Sequence, residues 1–395
     1  MISFDEALDL LYARIRPLGQ EAVPLARAHG RVLAEPVVAR VSAPPCDVSA
    51  MDGYAVREAD LATLPASLPI AGEAFAGRGS DAPLEHGQCV RVFTGAPVPA
   101  GADRVVVQEI VRQEASHAIF ETAPGKSRNI RTEGSDFRAG ETLLAAGTLL
   151  GPRELVAAAA ADVAELELWV RPRVGLLSTG DELAPPGSAL AIPGAIPESV
   201  SFGVAAMATE FGGVVTENIR LADEITAMEV AAGKALEHAD LLIVTGGASV
   251  GEKDFAKRMF EPAGLELVFS KVAIKPGKPV WLGRAKDTWV LGLPGNPTSA
   301  MVTARLFLAP LLYGLGGRDP GAALGWRLLP LLEDLEPTGE RETFARGVPH
   351  TGSVRILGNQ DSSAQKDLAL AELLVRRHPG RKGVAAGTLI SVLDF

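Results

Sequence analysis

Three short glycine-rich runs in the middle of this 395-residue chain have the make-up of anion-binding loops. Thr245-Gly246-Gly247-Ala248-Ser249-Val250-Gly251, followed by Asp254, pairs two glycines with Thr and Ser hydroxyls. Paired glycines let backbone N–H groups turn toward a phosphate with no Cβ in the way. The run has neither the lysine of a Walker loop nor the spacing of a dinucleotide fingerprint. Ser178-Thr179-Gly180-Asp181-Glu182 presents two carboxylates on a small-residue turn; alone it reads equally well as a solvated turn capped by Ser178 or Asp181. In Gly292-Leu293-Pro294-Gly295-Asn296-Pro297-Thr298-Ser299, Pro297 can open a helix and leave its first N–H groups facing an oxyanion. Lysines follow the second run, in Lys271-Val272-Ala273-Ile274-Lys275-Pro276-Gly277-Lys278-Pro279. Strand alternation puts Lys271, Ala273 and Lys275 on one face, and the Pro-Gly turn brings Lys278 back beside them as a cationic anchor. Surface lysines usually only snorkel, but the rigid Pro-Gly-Lys-Pro setting favours the anchor. Ser49-Ala50-Met51-Asp52-Gly53-Tyr54-Ala55, and Asn129-Ile130-Arg131 ahead of Gly134 and Asp136, stand apart from this group. Each reads in isolation as a β-turn with Asx bonding.

The elements that must position these residues follow from periodicity. Phe4, Ala7, Leu8, Leu11 and Ile15 lie at helical spacing behind Ser3, and Pro17 and Gly19 stop that helix. From about 22 to 150 the runs are short and β-like (Val32-Leu33-Ala34, 88–93, 104–108, Ala118-Ile119-Phe120) and divided by turn residues. An alanine-rich helix over 153–163 leads into a strand at 166–170. Beyond Arg171-Pro172-Arg173 strands and helices alternate: strands at 174–177, 214–221, 241–244 and 289–293, with helices at 198–211, 223–238 and 297–315. That alternation predicts a parallel, doubly wound α/β sheet, in which ligands bind beyond the carboxyl ends of the strands. All three glycine runs fall at such ends. After Gly316-Gly317 the pattern returns to β runs, including 353–357 and 388–393.

Composition sets the outer limits. The length suggests two to four domains, and 42 Gly with 28 Pro imply many tight turns. A formal charge of −10 argues against a nucleic-acid or anionic-membrane footprint, so an anionic ligand needs a local cationic pocket. Cys46 and Cys89 have no metal-site spacing or disulfide framework, and Met1-Ile2-Ser3-Phe4-Asp5-Glu6 has no signal-peptide character; the expectation is a cytoplasmic protein without a transmembrane segment.

Taken in order, SAMDGYAV (49–56), FTGAPVPAGADRVVVQE (93–109), NIRTEGSDFRAGE (129–141), STGDEL (178–183), VTGGASVGEKDF (244–255), KVAIKPGKP (271–279) and GLPGNPTSA (292–300) resemble the MoeA family of molybdopterin molybdenumtransferases, related to the E domain of gephyrin. The resemblance implies a multidomain α/β plus β protein. Its parts would be an N-terminal helix and linker or dimerisation region (1–46 and 139–171), a β-rich lid (47–138), an α/β molybdopterin-binding domain (172–316) and a small β-barrel-like C-terminal domain (317–395). It also implies a homodimer whose cleft joins the α/β domain of one subunit to the lid of the other. The activity implied is insertion of molybdate into adenylylated molybdopterin with release of AMP, assisted by Mg²⁺, in contact with the upstream adenylyltransferase and downstream cofactor carriers.

By motif match the functional residues carried over are Asp52, Thr94, Arg131, Asp136, Glu182, Asp223, Asp254, Lys271, Lys275, Pro294 and Pro297. Glu182, Asp223 and Asp254 would hold the metal; Asp52 and Asp136 would reach the pterin. Substrate contacts would come from Ser178, Thr179, Gly180, Asp181, Ser199, Thr245, Gly246, Gly247, Ser249, Lys278, Gly295, Asn296 and Ser299, with Arg341 and Arg346 as molybdate contacts in the C-terminal domain. The chain departs from the family at two places. Glu198-Ser199-Val200 stands where Asp-Ser-Asn is usual, and Asp361-Ser362 followed by Gln365-Lys366-Asp367 stands where Gly-Ser and Leu-Ser-Ser are usual. The competing readings are the upstream molybdopterin adenylyltransferase, which shares the Thr-Gly-Gly loop, and a gephyrin-like scaffold without catalysis.

Overall fold

The computed structural model describes residues 1–246 and 255–395. Gly247, Ser249 and Asp254, expected in the site, lie outside the described residues.

The chain opens with the expected helix, Phe4–Arg14, whose start is a reciprocal cap: Glu6 N–H donates to Ser3 Oγ at 3.1 Å, and Ser3 N–H donates to Glu6 Oε2 at 2.7 Å. Donation to the carboxylate from Ser3, its N–H first and then its hydroxyl, holds the Glu6 carboxyl below its ordinary pKa. The helix buries Phe4, Ala7, Leu8, Leu11 and Ile15 in the core of the α/β domain, where Phe4 meets Phe307 and Phe344 edge-on, centroids 5.6 and 4.9 Å away. It covers one side of that core.

Two strands far apart in sequence, Gln20–Pro24 and Glu165–Trp169, pair antiparallel beside the helix Pro152–Ala160. They share a core with Val37, Phe137 and Leu150. The chain leaves this unit to build the lid, a six-stranded sheet whose order is Arg104–Val107, Gly53–Val56, Cys89–Val92, Ala66–Ala74, His117–Phe120, Val111–Glu114. Cys89 is buried in it, which pushes its thiol pKa up to about 12 and removes it from nucleophilic chemistry at neutral pH.

The central sheet runs, edge to edge, Val214–Leu221, Arg173–Thr179, Leu241–Thr245, Thr288–Leu293, Trp281–Ala285, Glu266–Ser270. The first four strands are parallel, as the alternation predicts; the last two add an antiparallel edge that the sequence reading did not foresee. Strand Leu241–Thr245 shows why its sequence is wholly apolar. Leu241 and Ile243 face the layer of Val200–Glu210 and 297–315, while Leu242 and Val244 face the layer of Ile225–Ala235. The stretch Pro297–Leu315 has the length and hydropathy to cross a bilayer, but 89% of its apolar window is buried inside the fold, as expected of a core helix.

The remaining six-stranded sheet runs Ile274–Lys275, Glu342–His350, Leu373–Arg377, Leu389–Asp394, Arg327–Pro330, with Ser353–Ile356 also paired to Glu342–His350. Leu331 bridges Val354 and so draws the two edges of this sheet toward each other. Its first strand is borrowed from the lysine segment.

Phe4→Ala should lower the thermal midpoint by several degrees, because truncating a fully buried Phe costs about 3–5 kcal/mol. A calorimetric scan unchanged from the parent would show that the N-terminal helix contributes nothing to the α/β core.

Candidate functional site

A cleft of about 820 Å³ lies beyond the carboxyl ends of the parallel strands. Its walls include Thr179, Gly180, Glu182, Ser199, Asp223, Thr245, Gly246, Pro294, Gly295, Asn296, Pro297 and Ser299, so all three glycine loops meet there. Backbone proximity is what brings them together. Gly246 has φ +89°, and a Cβ on it would sit 2.3 Å from the Thr179 carbonyl oxygen; a Cβ on Gly295 would lie 3.4 Å from Gly246 Cα. Gly180, at φ +148°, holds a backbone conformation that side chains rarely adopt, and the Glu182 carboxylate lies over it, 2.9 Å from where a Cβ would stand.

Beneath the loops runs a buried polar chain. Thr245 Oγ1 donates to Ser178 Oγ at 3.2 Å, and Thr179 Oγ1 donates to the Thr245 carbonyl at 3.3 Å. Glu198, only 6% exposed, accepts from Ser201 N–H at 2.8 Å and from Ser201 Oγ at 2.6 Å, with Ser178 Oγ 3.5 Å away. Asn218 Nδ2 donates to Ser201 Oγ at 2.9 Å and closes the chain. The carboxylate of Glu198 thus caps the helix Val200–Glu210 and ties it to the first two loops. Ser178, expected as a substrate contact, is 1% exposed and belongs to this support rather than to the cleft surface. Asp181 also turns to the protein: its Oδ1 accepts from Asp223 N–H at 3.0 Å, which sets the Asp223 backbone beside the first loop.

The C-terminal domain closes one end. Ser363 and Gln365 reach the cleft wall; neither is among the contacts expected from the sequence, and Gln365 falls in its departure from the family pattern. Ser362 accepts from Asn296 Nδ2 at 2.9 Å, and its carbonyl accepts from Thr298 N–H at 3.1 Å. One of the first N–H groups of the helix at Pro297 is therefore already capped by protein. Arg346 does not fit its expected role as a molybdate contact. It is 1% exposed, and its guanidinium donates to the carbonyls of Asn359, Asp361 and Ala364 and to Thr298 Oγ1, at 2.8 to 3.2 Å. It anchors the loop that bears Ser362 and Ser363. Burial lowers its pKa, but a guanidinium stays charged. Arg341, half-buried, donates to the Ile274 carbonyl at 3.4 Å and sits beside the lysine segment.

The lysines need a second correction. Lys271 has φ +67°, and its N–H donates to the Val280 carbonyl at 3.1 Å, so no continuous strand runs from Lys271 to Lys275. Only Ile274–Lys275 is strand, paired to Glu342 and Thr343. Lys271, Lys275 and Lys278 are all exposed, and none of them lines the main cleft, although Pro279 does. Lys275 instead borders a separate cavity of about 190 Å³ with Pro276, Thr343, Gln360 and Arg377.

The lid motifs gather at one end of their sheet. Ile130 and Arg131 pair with Ser49 and Val48, and Gly95 N–H donates to the Ser49 carbonyl at 2.8 Å. Asp52 Oδ1 accepts from both the N–H and the hydroxyl of Thr94, each at 2.7 Å. Those two bonds, the backbone one first, with help from Arg91, hold the Asp52 carboxyl below its ordinary pKa. Asp136 and Arg131 are exposed nearby in sequence. None of Asp52, Thr94, Arg131 or Asp136 lines the cleft of its own chain.

For a divalent cation the described residues offer Glu182 and Asp223, both on the cleft wall. Among the described residues no cluster of three His, Cys, Asp or Glu is present. Two carboxylates together with substrate phosphate oxygens match the hard-oxygen preference of Mg²⁺.

Comparison with known proteins places this geometry. Residues 2–161 match the family described as the MoeA N-terminal region (domain I and II), and residues 175–314 match the probable molybdopterin binding domain. The chain is 33% identical over its full length to a molybdopterin molybdenumtransferase of Haemophilus influenzae, covering 99% of that protein. It is 37% identical to molybdopterin molybdenumtransferase 2 of Mycobacterium tuberculosis, with 94% of each chain covered. A solved MoeA structure from Pyrococcus horikoshii superposes with a TM-score of 0.87 at 27% identity, covering 100% of this chain and 99% of that one.

Two outcomes check the site. Gly246→Ala should lose about 1–3 kcal/mol of stability to backbone strain, read as an earlier chemical-denaturation midpoint; an unshifted midpoint would mean the contact with Thr179 is not tight. Thr94→Val keeps the N–H bond to Asp52 and removes the hydroxyl, so the Asp52 pKa should rise part of the way toward an ordinary carboxyl. The sign follows from the charged form losing a donor, so the carboxylate is lost at a higher pH as acid is added. Carbon-detected NMR titration of the Asp52 carboxyl would read it, and an unmoved titration would remove the hydroxyl from the account.

Proposed function

This chain belongs to the MoeA family, and we propose that it acts as a molybdopterin molybdenumtransferase, taking molybdate and adenylylated molybdopterin and releasing AMP. Insertion of molybdenum into molybdopterin is the activity for which its full-length relatives are named. The observation that carries the finer reading is the convergence of three glycine loops on one cleft through Gly246.

In this reading the AMP phosphate lies against the loops at Thr179, Thr245 and Gly295, where backbone N–H groups meet an anion without side-chain obstruction at the glycines. Pro297 opens its helix at the cleft wall, and the positive end of that helix adds to the field. Molybdate is held from the side of Lys275 and Lys278, and the cavity shared with Arg377 gives it a cationic wall in an otherwise acidic protein. Glu182 and Asp223, with Asp254, would hold Mg²⁺, which when bound screens charge on the departing phosphate. Requiring molybdate before AMP leaves is then a matter of charge: the departing phosphate is stabilised only once both anions are in register with these cations.

The lid residues come from a second copy of the chain in this proposal. Its support is that Asp52, Thr94, Arg131 and Asp136 lie off the cleft of their own subunit. The site is then composite, with the lid carboxylates presented to the pterin and the glycine loops to the phosphates.

The test is purified full-length protein with adenylylated molybdopterin, Mg²⁺ and molybdate, followed by AMP release. AMP should appear only when molybdate is added. ATP consumed with free molybdopterin would move the protein to the preceding adenylylation step, and no turnover in either assay would leave a scaffold. Lys275→Ala should slow molybdate-dependent AMP release by about tenfold or more, in line with removing one charge that stabilises a departing oxyanion; parental rates would take Lys275 out of the mechanism.

A further inference from the structure

A second cavity, of about 300 Å³, lies at the other end of the central sheet from the cleft. Its walls come from residues 29–32, 169–172 and 209–212 and from the end of the helix Ala309–Leu315. The strands Arg173–Thr179 and Val214–Leu221 begin just after two of these segments, so the cavity sits at their amino ends, while the cleft sits at the carboxyl ends. Seven residues of strand at about 3.3 Å each put roughly 20 Å between the two. The cavity also marks a seam. Residues 29–32 belong with the strand pair Gln20–Pro24 and Glu165–Trp169, and residues 209–212 belong to the α/β domain.

Three arginines line this cavity, and each keeps donors in reserve. Arg31 Nη2 donates to Glu21 Oε1 at 2.5 Å and to the Trp169 carbonyl at 2.9 Å. Arg171 donates through Nε to the Gly212 carbonyl at 3.1 Å and through Nη2 to that of Gly213 at 3.0 Å, which holds it to the α/β side of the seam. The Arg318 guanidinium lies over the Tyr313 ring, 3.5 Å from its centre. Stacking engages the face of the fork and leaves its in-plane N–H groups free. Among the described residues no acceptor meets Nη1 of Arg31, Nη1 of Arg171 or any side-chain N–H of Arg318. Burial lowers the Arg171 pKa, and the charge of Arg31 adds to the effect, so these two guanidiniums are near enough to repel. Glu210 is the one carboxylate among the lining residues; it is exposed and makes no ion pair among the described residues.

We propose that this cavity is a second ligand site, for a small phosphate ester: its phosphate oxygens take the free N–H groups of Arg31, Arg171 and Arg318, and its apolar body lies against Trp169 and Leu149. The arginines favour phosphate over carboxylate. A phosphate monoester offers three terminal oxygens and nearly two charges at neutral pH, enough for several separate forks, whereas a carboxylate offers two oxygens and one charge. An anion between Arg31 and Arg171 also turns their mutual repulsion into attraction to a common partner. Because Arg31 stands on one side of the seam and Arg171 and Arg318 on the other, an occupied site braces the N-terminal unit against the α/β domain. The site is independent of the chemistry of the cleft.

The probe is phenyl phosphate, titrated by calorimetry into full-length protein, with thermal midpoints recorded at each concentration. The parent should show a saturable event and a midpoint that rises with ligand. Arg318→Gln should weaken that event about tenfold, the loss of one charge-assisted donor. Glu210→Gln should strengthen it severalfold by removing the carboxylate from the wall, and its ligand-free midpoint should match the parent because Glu210 is exposed and unpaired. Lys275→Ala, which alters the cavity beside Thr343 instead, should bind as the parent does. The proposal is overturned by a parent that binds without saturation, by an affinity that Arg318→Gln leaves unmoved, or by a Glu210→Gln variant that binds no tighter. An event lost in Lys275→Ala and kept in Arg318→Gln would overturn it too, by assigning the ligand to the lysine segment.

Discussion

The approach of Gly246 to the carbonyl of Thr179 is the contact on which the site depends. A Cβ at position 246 would stand 2.3 Å from that oxygen, so the second loop can lie against the first only because the residue is glycine. Gly295 then fits against Gly246, and three loops from three strands become one surface. Parallel pairing makes this possible: strands that run the same way deliver their carboxyl ends, and the helix starts that follow, to one side of the sheet. Fixed N–H groups there need not reorganise when an anion arrives, which is the condition for electrostatic stabilisation to act on a departing phosphate.

That surface is held from below by polar rather than apolar contacts. Glu198 is a buried carboxylate whose partners are a backbone N–H and two hydroxyls, with no cation among them. A charge in such a place must be matched by donors or it would destabilise the fold. The chain from Asn218 through Ser201 and Glu198 to Ser178 and Thr245 supplies them. At the departure Glu198-Ser199-Val200, Glu198 therefore serves as a cap on the helix Val200–Glu210, with one more methylene than the Asp usual there. Val200 is the residue that changes what the cleft wall offers.

Much of this was legible in the sequence because the signals were local. Helix 1 carried a capping box and an apolar stripe, the strand at 241–245 carried an unbroken apolar run, and the glycine loops carried their spacing. What escaped notice was set by contacts distant in sequence. Nothing near Arg346 indicates that its guanidinium will be spent on four oxygens of Thr298 and the loop 359–364. Nothing near Lys271 indicates that its backbone will pair with Val280 and Ile274–Lys275 with Glu342–His350. Alternation of burial survives, since Val272 and Ile274 are inside and Lys271 and Lys275 outside, but the strand that alternation implied does not. Exposure followed pattern; conformation followed tertiary pairing.

The same long-range pairings couple the parts of the molecule. Lys275 belongs by chain position to the α/β domain and by hydrogen bonding to the C-terminal sheet. Ser362 belongs to the C-terminal domain and caps the third glycine loop through Asn296 and Thr298. The lysine segment and the third glycine loop are thus both tied to the C-terminal domain. Among the described residues the lid motifs do not line the cleft of their own chain, and their geometry is internal: Asp52 is fixed by Thr94, and Phe93 is braced by Arg91. In the composite site proposed above, the lid residues would meet the substrate as a unit separate from the glycine loops of the cleft.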